Sequence, residues 1–116
     1  MLNYAQGMPL PIMDDQDFRR AADAALEDLH RRLNTAGETH DFEADFQAGA
    51  LVIEFEDPPA KFVVSPNTPV RQIWMSANVR SYKLDWDGGQ FVLDGQTLAQ
   101  VVGQAIGQHL SETVTL

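Results

Sequence analysis

Three carboxylates alternate along one short stretch of the chain, Asp41, Glu43 and Asp45, and Glu38 and His40 stand just before them. Oxygen donors with occasional imidazole suit hard or borderline cations such as iron. Alternate side chains on an extended strand lie roughly 7 Å apart, too far for those three alone to close one tight cage. Asp23, Glu27 and His30 line the preceding helical segment. The chemistry on offer is therefore a shallow, oxygen-rich ridge that binds cations weakly. A solvated acidic face that serves solubility is the plainer alternative.

A second stretch carries recognition chemistry rather than coordination. Val70 to Ser76 and Ser81 to Trp86 both alternate as strands do. If Ile73 and Met75 face a core, Gln72 and Trp74 face water. A large aromatic ring beside an amide on the outer face of a sheet is a docking surface in waiting, although a ring shielded by long neighbouring side chains would read the same way.

Several activities are excluded or unsupported. The chain has no cysteine, which removes disulfides, thiolate catalysis, zinc ribbons and cysteine-held clusters together. No Gly-x-Ser-x-Gly, phosphate-binding glycine loop or Gly-Lys-Ser/Thr element occurs. A buried carboxylate pair of the glycosidase type does not fit acids at outward positions. Net charge is −9, and thirteen of the seventeen acids fall between Asp14 and Asp57 against four arginines there. Such a one-sided field repels nucleic acid and anionic membrane, and attracts cations or a basic protein surface.

The elements that must position these groups are readable from period and punctuation. The 116 residues suffice for one domain, with 44% hydrophobic residues to fill a two-layer core. Residues 1–13 lack periodicity and read as a flexible N-terminal extension, leaving 14–116 as the domain. Asp14 or Asp15 caps a helix to about Thr35, with Phe18, Ala22, Ala25, Leu29 and Leu33 as its apolar face. The period then changes to two, so Phe42, Ala44 and Phe46 point inward and the three acids outward. Ala48-Gly49 turns the chain into a strand bearing Leu51, Ile53 and Phe55. Lys61 to Ser65 makes the next strand, the Gln72 and Tyr82 stretches follow, and Asp87-Gly88-Gly89 turns into Gln90 to Asp94. Thr97 and Gln100 form a capping box for a second helix, with Leu98, Val101, Val102, Ala105, Ile106 and Leu110 on its apolar side. Gly103 and Gly107 each cost that helix about 1 kcal/mol against alanine, which implies a closely packed neighbour, with the first helix as the candidate. The economical arrangement is α+β, with two helices on one face of a single five- to six-stranded antiparallel sheet and the other face open.

Together these features resemble the frataxin family, close to its bacterial CyaY-type members. The resemblance spans about Asp14 to Leu110 and rests on the order of elements, Asn67-Thr68-Pro69, Gln72-Ile73-Trp74-Met75-Ser76 and Tyr82-Lys83-Leu84-Asp85-Trp86. It implies an α–β sandwich that takes part in iron–sulfur cluster assembly. Such proteins bind ferrous and ferric iron weakly along an acidic ridge and dock on a cysteine desulfurase and its scaffold protein. The matching ridge positions are Asp15, Asp23, Asp41, Glu43, Asp45 and Glu56, and the matching sheet positions are Gln72 and Trp74. Where relatives are densely acidic at the end of the first helix, this chain has His30, Arg31, Asn34, Thr35, Ala36 and Gly37, so the ridge is thinned and partly neutralised. The tail after Leu110 is short and is expected to add little cover over the groove between the helices.

The resulting expectation is a non-enzymatic iron-binding modulator or iron donor, with surface-bound Fe2+ or Fe3+ and with the desulfurase and scaffold as partners. A monomer in the bacterial cytosol is expected, iron-dependent oligomers being left open. A weak ferroxidase or iron-storage protein, or a metal-independent acidic interaction module, are the alternatives.

Overall fold

The computed structural model describes residues 13–116, so residues 1–12 of the expected extension lie outside the described residues. Helix α1 runs Asp15–Ala36, and the Asp14 side chain caps it by accepting from the Asp17 N–H at 2.7 Å. Seven strands follow in a simple meander: β1 Glu43–Gln47, β2 Ala50–Glu56, β3 Pro59–Asn67, β4 Gln72–Ala77, β5 Arg80–Trp86, β6 Phe91–Leu93 and β7 Gln96–Thr97. Helix α2, Leu98–Leu110, closes the domain. The count exceeds the expected five to six because β7 is a two-residue pairing with β6, formed as the chain turns into the second helix. A pair that short leaves no alternation to read.

Both helices lie on one face of the sheet. Phe18, Ala22, Leu26, Leu29 and Leu33 of α1 and Val101, Val102, Ala105 and Ile106 of α2 share one buried cluster with the inward row of the strands, among them Ile53, Phe62, Val64, Ile73, Met75 and Leu84. The α1 stripe is set by Leu26, which is buried, whereas Ala25 is only partly covered. Phe18 meets Phe91 edge-on at 5.9 Å and Phe55 lies 4.7 Å from Phe62, geometries that aromatic pairs favour.

Phe46 points inward as the alternation expects, opposite the buried Leu51, yet it is 44% exposed. It sits near the hairpin end of the edge strand, with no strand beyond it, and covers itself against the His30 ring at 4.9 Å. The hairpin is tight because Ala48 (φ 52) and Gly49 (φ 85) both take positive φ, the pattern of a two-residue turn that matches strand twist.

The second-helix glycines face the chain's own C-terminal tail and not α1. A Cβ on Gly107 would lie 2.6 Å from the Glu112 carbonyl oxygen, and one on Gly103 would lie 3.0 Å from that of Val114. Close backbone approach is what these two positions permit. The tail is thereby more than a stub. Val114 is buried, Leu116 packs on the core and lines a cavity of about 540 Å³ between the helices, and the His40 Nδ1–H donates to Glu112 Oε1 at 2.6 Å.

Candidate metal ridge and docking surface

The hairpin register determines which acids meet. With Gln47 opposite Ala50, Glu43 stands directly opposite Glu54 and Asp45 opposite Val52, all on the outer sheet face. Asp41, Glu43, Glu54 and Glu56 line one shallow depression of about 230 Å³ where β1 begins and β2 ends. Glu54 was not among the expected ridge residues. The two-residue turn at Ala48-Gly49 is the signal that finds it, because that turn fixes every cross-strand pair in the hairpin. Glu54 also faces Lys61 across β3, which offsets part of the like-charge opposition.

The other expected ligands belong to the helix layer. Asp23 and Glu27 are exposed on α1, and Glu38 is exposed in the turn after it. His30 reaches the edge strand, where its Nε2 lies 3.1 Å from the Ala44 carbonyl oxygen. A carbonyl only accepts, so Nε2 carries the proton there and Nδ1 is the nitrogen left for a cation. Asp15 is engaged by Arg71 at 2.7 Å, and the same guanidinium donates to the Met13 carbonyl at 3.0 Å, so this acid fastens the start of α1 to the turn before β4. The ridge is thus two rows on either side of the β1 edge. Among the described residues no three His, Asp or Glu side chains gather as a metal-holding group.

Apart from the Arg71–Asp15 pair, neutralisation by arginine falls off the ridge. Arg31 and Arg32 both bond Asp28 at 2.8 Å, and Arg20 lies 3.9 Å from Asp17. The hydrogen bond from Arg32, reinforced by the charges of Arg32 and Arg31, holds the Asp28 carboxyl below the usual aspartate range. Among the described residues, Asp23, Glu27, Glu38, Asp41, Glu43, Asp45 and Glu56 have no ion-pair partner. The field of the ridge is therefore intact where the hairpin carries it.

The open face of β3 to β5 differs in kind. Trp74 is 37% exposed and projects outward with Gln72, as the alternation required. Its Nε1–H donates to Gln72 Oε1 at 2.7 Å, and Gln72 Nε2 donates to Asp85 Oδ1 at 2.9 Å. The Lys83 ammonium lies 4.8 Å from the Trp74 ring centroid, within cation–π range. Lys83 and Asp85, expected only as part of the Tyr82–Trp86 motif and not as surface partners, stand in strand pairs with the chosen residues, Gln72 with Asp85 and Trp74 with Lys83. Locating the two-residue turn at Asn78-Val79, between Ala77 and Arg80, would have revealed both. Around them the face is neutral and polar, with Ser65 opposite Trp74, Asn67 opposite Gln72 and Ser76 opposite Ser81.

A seven-stranded meander with both helices on one face, and a bare outer face divided between carboxylates and a tethered indole, defines an α–β sandwich with one open sheet face. The family model described as a frataxin-like domain matches residues 11–112, and the chain belongs to that family. A solved frataxin from Psychromonas ingrahamii, presented as a model of stability modulation within the CyaY protein family, shares the fold with a TM-score of 0.76. It is 23% identical over 89% of this chain and 97% of its own. Family membership supports a general role in iron–sulfur cluster assembly. Among the described residues no helix is long and apolar enough to cross a membrane.

Proposed function

We propose that this protein modulates iron–sulfur cluster assembly by docking on a cysteine desulfurase and its scaffold protein, with ferrous or ferric iron held weakly along the acidic ridge as cargo or effector. The observation that carries the reading is the juxtaposition on one open sheet face of unpaired carboxylates and a Trp74 ring already held in place by Gln72. Exposed acids raise the encounter rate with a basic surface, and an ordered aromatic supplies a contact that need not be frozen on binding. Iron and the partner compete for the same carboxylates in this scheme, which makes docking responsive to iron. No turnover is assigned to the protein itself. A ferroxidase would need ligands that converge, and the ridge acids are spread over two rows.

The test is sulfide release by the cognate desulfurase and scaffold, with and without this protein and ferrous iron. A saturable, iron-dependent change in rate is expected. An unchanged rate, with no complex in a pull-down, would overturn the reading.

A further inference from the structure

We infer that Asp85 is a positioning residue for the Trp74 surface, acting through Gln72, and that a partner reads the indole ring and not its N–H. The inference rests on the docking reading above. A glutamine amide can present either its oxygen or its nitrogen to a neighbour, and only the oxygen can accept the indole proton. Something must set that choice. Asp85 is the strand partner of Gln72, and an ionised carboxylate only accepts, so it takes the Gln72 Nε2–H and leaves Oε1 toward Trp74. The order of command runs from Asp85 to Gln72 to Trp74, with bonds of 2.9 and 2.7 Å.

Lys83 adds to the restraint. Its ammonium stands 4.8 Å from the ring centroid, so one side of the indole is occupied by a cation of the same chain. The indole N–H, usually the polar handle of an interfacial tryptophan, is already spent. What remains for a partner is ring surface, the second Gln72 N–H and the free oxygen of Asp85. Those features favour a partner that lays an apolar group on the ring and meets an adjacent donor and acceptor.

The test uses the full chain, with two readouts on each variant: hydrogen exchange of the Trp74 indole N–H by NMR, and affinity for the desulfurase–scaffold complex. Asp85→Ala should speed indole exchange and weaken binding, each by about three- to tenfold, the worth of one hydrogen bond. Asp85→Asn should recover part of both, because its Oδ1 still accepts from Gln72 although its amide no longer forces the choice. Trp74→Phe, which keeps a ring and lacks the N–H, should bind much more tightly than Trp74→Ala. An Asp85→Ala variant with unchanged indole exchange would overturn the inference, as would an Asp85→Asn variant as impaired as alanine, which would make the role one of charge. Trp74→Phe binding no better than Trp74→Ala would overturn ring recognition. If Trp74→Ala binds like the parent, the docking reading fails, while indole exchange still judges the positioning role on its own.

Discussion

The outer sheet face holds two halves that are built by opposite rules. On β1 and β2, Glu43 opposes Glu54, and Glu56 and Asp41 border the same depression, with nothing on that hairpin to neutralise them. On β4 and β5, each polar group is assigned: indole to amide, amide to carboxylate, ammonium to ring. The first arrangement accepts the repulsion of like charges to project a field. The second satisfies its own groups and projects a shape. Fields reach far, depend on salt and act on the encounter, whereas a fixed ring acts at contact. A protein that docks and releases uses the first to be found and the second to be recognised.

The comparison can be broken most forcefully at Trp74. Trp74→Ala should cost about 2 kcal/mol or more of partner affinity, as central aromatic anchors do, at low and high salt alike. Its unfolding free energy should fall by only about 0.5–1.5 kcal/mol, the worth of the bond to Gln72 and the Lys83 contact, because the ring is not in the core. A large loss of thermal stability would place the ring structurally and erase the distinction between the halves.

Neutralising the acidic half should act differently. Asp41→Asn, Glu43→Gln and Asp45→Asn together should slow association about tenfold at low ionic strength, with the difference shrinking as salt rises. Stopped-flow association rates across a salt series would show it. The same variant should be slightly more stable to urea, by about 0.2–1 kcal/mol, because the charge opposing Glu54 is gone.

His30 sharpens the picture from the helix layer. His30→Ala removes the donor to the Ala44 carbonyl and the ring against Phe46, and should lower stability by about 1 kcal/mol in a denaturant melt. A melt identical to the parent would mean that His30 serves the ridge alone.

The smallest effect lies in acid titration. Asp28 and Asp87 have carboxyls held below the usual aspartate range, Asp28 by Arg32 first and Asp87 by the backbone N–H groups of Gln90 and Gly89. A depressed folded value means that their contributions are complete above the unfolded value of about 3.9 and fade as pH falls through the lowered folded values. Neither should alter the urea midpoint between pH 5 and 8. Asp87→Asn should remove a small part of the loss seen below pH 4.

The layout was largely legible because its signals are local. Alternation exposed Trp74, the Thr97–Gln100 box began α2 where expected, and the change of period after α1 located the hairpin. What escaped depends on partners distant in sequence. Phe46 obeys the alternation yet stays half open, since inward direction is not cover at the rim of a sheet. Val52 is its converse, an outward residue that is buried at 5% exposure, set between Asp45 and Val63 on the neighbouring strands. Gly103 and Gly107 announced a close neighbour, but only the folded tail shows that Glu112 and Val114 fill the space. Glu54, Lys83 and Asp85 became visible as site residues through strand register, which two-residue turns determine and composition does not. The acidity was plain from the sequence, whereas its division into two rows about the β1 edge was not.

The most direct test compares sulfide release by the desulfurase and scaffold with the parent protein and with Trp74→Ala, each titrated to saturation with ferrous iron present at low and high salt. The account predicts that the parent changes the rate saturably, that salt raises the concentration it needs, and that the folded Trp74→Ala protein needs at least about thirtyfold more than the parent at either salt. A Trp74→Ala protein that matches the parent at both ionic strengths would contradict it.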